Sequence, residues 1–331
     1  MEQSFLAYLR GRTRGLPAVP VGIGDDAAVL SNPPPGSRMV ACTDQIVDGV
    51  DFRFGQQADS DIGYKSMAIN LSDIAAMGAV PTSALVTLSL PEEDATETAG
   101  AVYEGIFEAA EQFQVAIAGG DLTIYDGPLA ISVTIFGTVE TPWLRSGAGV
   151  GDALFVTGLL GGSLLGRHLR PHPRIELAAW LRRHVNVTAA IDISDGFSLD
   201  LDRLCAASRV GVELDLQRLP VSPDAAVRAE KTGRSAQQHA WSDGEDFELI
   251  FTCGSDDADR LEALAREREM AGNGPGDRVA LTRLGTIVSR TGLWKTLAEG
   301  KFERVFPQGY VHGELPAESI RDADLRRESQ S

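Results

Sequence analysis

The sequence predicts a two-domain protein of the α/β (α+β) class. Three observations carry this. Strand-like and helix-like patterns alternate through both halves of the chain. Proline and glycine accumulate between the halves, at 140–152 (ETPWLRSGAGVGD). The length, 331 residues with 43% hydrophobic residues, suits two ordinary domains with full cores. The expected division is 1–142 and 143–317, followed by a charged, polar tail at 318–331 that should fray.

Taken in order, residues 31–37 (SNPPPGS) predict a rigid proline turn, and 39–43 (MVACT) a buried strand ending at Asp44. Residues 61–79 predict a helix: Met67, Leu71, Ile74 and Ala75 fall at helical spacing, and Ile69 and Ala76 make it apolar nearly all round. Gly78 and Pro81 close it. Strands follow at 83–90, at 115–118 running into Gly119-Gly120-Asp121, and at 130–139, with a helix at 95–114. In the second half, strands are expected at 153–157, 189–193, 211–216, 246–252 and 282–288, and helices at 197–207, 223–231 and 256–268. A glycine-rich turn at 158–166 should lead into a further helix.

The formal charge of −17, with only four lysines, argues against nucleic acid and against anionic membrane surfaces, which both attract basic patches. Cys42, Cys205 and Cys253 are too far apart for a disulfide framework or a zinc ribbon. The N-terminal MEQSFLAYLRGRTRG has no long apolar run, so no signal peptide is expected, and no stretch approaches a membrane span. A soluble cytoplasmic protein is the expectation.

Aspartates recur at short Gly- or Ser-flanked positions beside apolar stretches: Gly24-Asp25-Asp26, Thr43-Asp44, Ser72-Asp73, Gly119-Gly120-Asp121 and Asp192-Ile193-Ser194-Asp195-Gly196. Two carboxylates 4 Å apart near a protein surface repel by about 4 kcal/mol unless a cation lies between them. Magnesium, which prefers oxygen ligands and commonly accompanies phosphate, is the natural counter-charge. Asp73 is the sharpest case, because a mid-helix carboxylate with apolar neighbours needs a partner; a buried ion pair is the plainer explanation, but Lys65, two turns away, is badly placed for it. Each other motif also has a plain reading. Asp25-Asp26 fits an acidic turn, Gly119-Gly120-Asp121 a strand-to-loop turn, and Ser194 or Asp195 a helix N-cap, which is compatible with phosphate at the same helix start. The carboxylates of 241–249 (WSDGEDFEL) fit a solvated turn, and His168 and His172 a surface. No Walker A lysine motif and no nucleophile–histidine arrangement is present.

As an ordered set, GIGDDAAVL (22–30), TDQIVDGVDF (43–52), INLSDIAAMGAVP (69–81), AGGDLT (118–123), LRSGAGVGD (144–152), IDISDGFSLDL (191–201) and DGEDFEL (243–249) resemble the thiamine-monophosphate kinase family. That family belongs to the aminoimidazole-ribonucleotide-synthetase-like (PurM-like) ATP-binding superfamily. The likeness spans roughly residues 5–313. It implies an N-terminal domain that forms a shared β-barrel in a homodimer, a C-terminal α+β domain, and ATP in the cleft between them. It further implies magnesium ligands at Asp26, Thr43, Asp44, Asp73, Asp121, Asp192 and Asp195, with Asp25 as a further candidate. Tyr103, Gly120, Asp121, Arg145 and Ser194 match ATP contacts, and Asp51 and Glu245 match positions that hold thiamine monophosphate. Asp73 and Asp121 are expected to matter most to turnover.

The chain departs from the family pattern in three places. Cys42 stands where serine commonly precedes Thr-Asp, and a thiol is a poor magnesium ligand. Asp51 replaces a common histidine. The C-terminal run is Gly309-Tyr310-Val311-His312-Gly313, so the aromatic that stacks on substrate in relatives is absent at Gly313 or is supplied by Tyr310. The expected reaction is Mg-assisted phosphoryl transfer from ATP to thiamine monophosphate. The alternatives are another PurM-like ATP-using enzyme, such as aminoimidazole ribonucleotide synthetase, or a non-catalytic nucleotide or thiamine-phosphate binder.

Overall fold

The computed structural model describes residues 2–13, 17–23, 26–271, 279–297 and 300–311. The N-terminal half holds α1 (Glu2–Arg12), β1 (Arg38–Val47), α2 (Asp59–Ala76), β2 (Val80–Pro91), α3 (Ala95–Gln112), β3 (Ala116–Tyr125) and β4 (Ala130–Val139). Its four strands form one open mixed sheet in the order β1-β4-β2-β3, with β2 and β3 parallel and the other pairs antiparallel. Among the described residues this sheet does not close into a barrel, and β1 and β3 are its edges.

Helices α2 and α3 cover one face of this sheet, burying Met67, Leu71, Ile74, Val102 and Ile106 against Val86, Leu88, Val133 and Ile135. The helices cross at contact distance because Gly63 and Gly105 lie at the crossing: a Cβ on Gly63 would sit 1.9 Å from the Val102 carbonyl oxygen, and one on Gly105 1.7 Å from that of Ser60.

The C-terminal half holds β5 (Ala153–Thr157), α4 (Ile175–His184), β6 (Val187–Asp192), α5 (Phe197–Ser208), β7 (Gly211–Leu214), α6 (Pro223–Thr232), α7 (Ala236–Ser242), β8 (Leu249–Cys253), α8 (Ser255–Ala271), β9 (Leu281–Val288), β10 (Gly292–Thr296) and β11 (Phe302–Val305). Its seven strands run β11-β10-β7-β9-β5-β8-β6. Leu154, Val156 and Ile250 pack towards α5 on one face, and Phe155 and Phe251, with rings stacked 5.3 Å apart, pack towards α4 and α8 on the other.

Helix α2 also explains its own sequence. Its sheet-facing side belongs to the first core, while Ala75 and Ala76 enter the core of the second half beside Trp143 and Phe155. An apolar surface nearly all round is what a helix bridging two cores requires.

Several sequence expectations need correction. The strand expected to end at Asp44 continues to Val47, and the strand expected to stop at Ala118 runs through Gly119-Gly120-Asp121 to Tyr125. Thr43, Asp44 and Asp121 are therefore mid-strand, not at turns. The turn at 158–166 leads into two short 3₁₀ turns, and helix α4 begins only at Ile175. Residues 243–248 are irregular and the strand begins at Leu249. Helices α1 and α7 and strands β10 and β11 were not anticipated. His168 and His172 are half-buried, not surface. Among the described residues no helix is long and apolar enough to cross a membrane.

Candidate active site

The two halves meet along the C-terminal part of α2, and there the carboxylates converge. Asp44 comes from β1, Asp73 from α2 and Asp192 from the end of β6. Asp44 and Asp73 share a side-chain hydrogen bond. Asp192 is buried and accepts a 2.7 Å hydrogen bond from Ser72 Oγ, which ties the halves together. Burial, then the charge of Asp44, pushes Asp73 up to about 7; burial, then the charge of Asp73, does the same to Asp192. Burial raises Asp44 too, with Asp51 and Asp195 adding to the repulsion. Arg145 opposes the shifts of Asp73 and Asp192; it lines, with both of them and Cys42, a cavity of about 170 Å³.

Cys42 is not a ligand here. Its thiol donates to the Asn70 carbonyl at 3.3 Å, and burial together with Asp73 and Asp44 holds it protonated.

A second group lies elsewhere. A cavity of about 910 Å³ is lined by Asp26, Tyr103, Gly120 and Asp121, with Leu9 and Arg10 of α1 at its rim. Tyr103 is buried. Gly120 sits opposite Val86 in the parallel pairing of β2 and β3, and a Cβ there would lie 1.7 Å from the Val86 carbonyl oxygen. Asp121 pairs with Thr87 and shares its exposed side of the sheet. Thr43 points to the same uncovered face, since strand side chains alternate; its hydroxyl donates to the Val133 carbonyl and accepts from Thr134, its cross-strand neighbour. The expected metal set is thus divided within one chain: Asp44, Asp73, Asp192 and Asp195 in the cleft, Asp26, Thr43 and Asp121 on the open face. Among the described residues no three acid, histidine or cysteine side chains are close enough to hold one ion by themselves. Asp25, His312 and Gly313 lie outside the described residues.

The segment after β6 is held in an unexpected way. Neither Ser194 nor Asp195 caps α5. Instead Asp200, from the first turns of the helix, reaches back, and its Oδ2 accepts the N–H groups of Ser194, Asp195 and Gly196 at 3.1, 3.0 and 3.2 Å. Arg203 pairs with both Asp195 and Asp200, at 2.6 and 2.7 Å. These three backbone donors, which lie just before the helix, are thereby occupied.

Of the three expected substrate contacts, Asp51 lies on the turn after β1, where its carboxylate accepts the Val47 N–H at 2.8 Å. Glu245, at φ 62°, has its N–H on the Ser194 carbonyl and its carboxylate on Lys65 Nζ at 2.5 Å. Tyr310 donates its N–H to the Asp195 carbonyl at 2.8 Å, which brings the C-terminal run beside the cleft. The carboxylates around Glu245 are not solvated. Asp243, Asp246 and Glu248 are buried: Arg167 pairs with Asp246 at 2.8 Å, Arg174 grips Glu248 through two nitrogens, and His239, Arg228 and Arg234 surround Asp243.

Lys65 was missed as a site residue. Its signal is legible in retrospect, as a lysine inside an otherwise apolar helix in a chain with four lysines.

Two family models match the chain: the AIR synthase related protein N-terminal domain over residues 24–139 and its C-terminal domain over 146–272. The thiamine-monophosphate kinase of Rhodopirellula baltica is 66% identical over 320 residues, covering 95% of this chain and 98% of the relative. The crystal structure of thiamine-monophosphate kinase from Stenotrophomonas maltophilia superposes with a TM-score of 0.74 at 34% identity, over 89% of this chain and 95% of that one. AaThiL complexed with AMPPCP and TMP superposes with a TM-score of 0.71 at 28% identity, over 88% and 91%. An identity this high over nearly the whole length of both chains places the protein within the thiamine-monophosphate kinase family.

Proposed function

We propose how the family reaction maps onto this chain. The chain phosphorylates thiamine monophosphate with ATP, giving thiamine diphosphate and ADP. The observation that carries the site assignment is the convergence of the half-buried Asp44 and Asp73 with the buried Asp192 in the cleft, where Arg145 acts on Asp73 and Asp192. Such an arrangement is stable in its charged form only with cations from solution. The donor set fits magnesium: carboxylate oxygens, with the neighbouring thiol held protonated. Magnesium bound there would neutralise the phosphates and align donor with acceptor.

The side chains then have distinct roles. Asp44, Asp73, Asp192 and Asp195 would hold metal from the cleft. Arg145 offers a fork to phosphate oxygens of ATP, and Ser72 orients Asp192. Tyr103 and Gly120 wall the larger cavity, which has room for a nucleotide, and Ser194, whose carbonyl holds the Glu245 N–H, would meet ATP from the cleft side. Asp51, Glu245 and Tyr310 border the acceptor. The nucleophile is a phosphate oxygen with a second pKa near 6, largely ionised at neutral pH, so no protein general base is required.

The division of the acids supports a homodimer. The edges of the N-terminal sheet are β1, which carries Asp44, and β3, which carries Asp121. Pairing β1 of one copy with β3 of the other would close a shared barrel, cover the open face, and bring the partner subunit's Asp121 and Asp26 to the cleft acids. The domain limits 1–142 and 143–317 and a cytoplasmic location, where ATP is available, belong to the same proposal.

The test is turnover. Purified protein with ATP, Mg²⁺ and thiamine monophosphate should yield thiamine diphosphate by chromatography, and free thiamine and aminoimidazole-type substrates should not react. Tight Mg-ATP binding without product would overturn the substrate assignment.

A further inference from the structure

Lys65 is 1% exposed, and a buried ammonium is costly unless its position matters. Its Nζ donates to Glu245 Oε1 at 2.5 Å and to the Asp51 backbone carbonyl at 2.9 Å. These contacts join the N-terminal half, through the turn after β1, to the C-terminal half, through the irregular segment before β8. They are also the two polar positions assigned above to the acceptor. The same small cluster includes the half-buried His168, which feels the charges of both Glu245 and Lys65.

The backbone around Glu245 is correspondingly constrained. Glu245 and Phe247 both occupy the left-handed region, at φ 62° and 51°, which non-glycine residues adopt only when their surroundings enforce it. Hydrogen bonds from Glu245 N–H to the Ser194 carbonyl and from Phe247 N–H to the Ile193 carbonyl hold the main chain. Lys65 is the contact that fixes the carboxylate itself. One oxygen of that carboxylate is engaged; among the described residues the other has no hydrogen-bond partner, and a quarter of the side chain remains exposed.

We propose that Lys65 is a positioning residue for the phosphate acceptor. Resting on the kinase reading above, the inference is that one buried ammonium sets both Glu245 and the Asp51 turn. The free oxygen of Glu245 then faces the cationic ring of the acceptor, while Lys65 offsets the repulsion between that carboxylate and the acceptor's phosphate. The acceptor site is therefore complete only when the two halves are docked, and the ATP side is not under this control.

The experiment uses the full chain with Lys65→Met, Lys65→Arg, Glu245→Gln and the double variant Lys65→Met/Glu245→Gln. Wild type is assayed first; failure to convert thiamine monophosphate sinks the kinase reading and this inference with it. With an active wild type, Lys65→Met should raise KM for thiamine monophosphate about ten-fold or more and leave KM for ATP within about two-fold. Lys65→Arg should recover part of the loss. The double variant should lose less than the sum of the two single changes, since both remove one interaction. Calorimetry with thiamine monophosphate alone should show the same ranking. An unchanged KM for the acceptor, or equal changes in both KM values, would overturn the positioning role while leaving the reaction intact. Should Lys65→Met not fold, Lys65→Arg and Glu245→Gln decide by the same split.

Discussion

One group of carboxylates is buried in the C-terminal half and another is half-buried to buried in the cleft, and the two are balanced in opposite ways. In the C-terminal half, Asp243, Asp246 and Glu248 each have protein cations in contact: Arg228 and Arg234, then Arg167, then Arg174, with the His239 ring also against Asp243. In the cleft, Asp44, Asp73 and Asp192 have one another and a serine, and Arg145 acts on Asp73 and Asp192 from the cavity wall it shares with them. The first group is a finished structural network. The second is finished only by something that binds. Burial of acid alone does not mark a site; burial of acid facing acid does.

The largest test of this contrast is catalytic. Asp73→Ala and Asp121→Ala should each abolish measurable turnover while circular dichroism and sedimentation stay unchanged. If the proposed dimer places Asp121 of one copy beside Asp73 of the other, mixing these two inactive variants should restore about a quarter of wild-type activity, because random exchange would make half the dimers mixed, each with one site holding both acids. No recovery would show that one chain supplies both acids to its own site.

Stability should separate the two groups next. Arg174→Met leaves Glu248 buried without its cation and should cost about 3–5 kcal/mol in urea unfolding. Asp192→Asn should do the reverse in metal-free buffer, raising Tm by a few degrees while removing activity, since it deletes a repelled charge. A loss of stability in Asp192→Asn would contradict the uncompensated state of the cleft.

The pH dependence follows with a definite sign. Asp73 and Asp192 titrate near 7 in the folded chain and near 3.8 when unfolded, so the folded state binds more protons. Their contribution to metal-free stability is complete below about 4 and is lost as pH rises through about 7. Mg²⁺ held at the proposed site would have to displace those protons, so its increment in Tm should grow between pH 5.5 and 8. A constant increment would remove these acids from the metal site.

A last test is steric. Gly120→Ala puts a Cβ 1.7 Å from the Val86 carbonyl oxygen, so it should force β3 from β2, lowering Tm by several degrees as well as weakening ATP binding, both measured by calorimetry; an unchanged Tm would rule out so close an approach.

Much of this was readable from residues alone, for physical reasons. Strands β4 and β5 were legible to the residue because β-branched runs end at clear turn chemistry. Glycines misled at β3: Gly119-Gly120 reads as a turn, yet there it allows close approach to the neighbouring strand. Helix α7 carries a capping box, Ser235 with Gln238, that its sequence displayed and that went unread. The acids of the cleft were legible as a set because repulsion needs no geometry to be suspected. Their division between two faces was not, since it depends on strand alternation across a sheet whose pairing is long-range. Lys65 was set aside because it could not reach Asp73; its partner lies 180 residues further along.

The Asp200 carboxylate seated on three backbone N–H groups has a wider consequence. It fastens the stretch from Ser194 to Gly196 onto helix α5, and Arg203 braces the same corner by bridging Asp195 and Asp200. Two other parts of the chain hang from that stretch: Glu245 through the Ser194 carbonyl and Tyr310 through the Asp195 carbonyl. One side chain is thus the hinge pin of three segments, and removing it would loosen all of them at once.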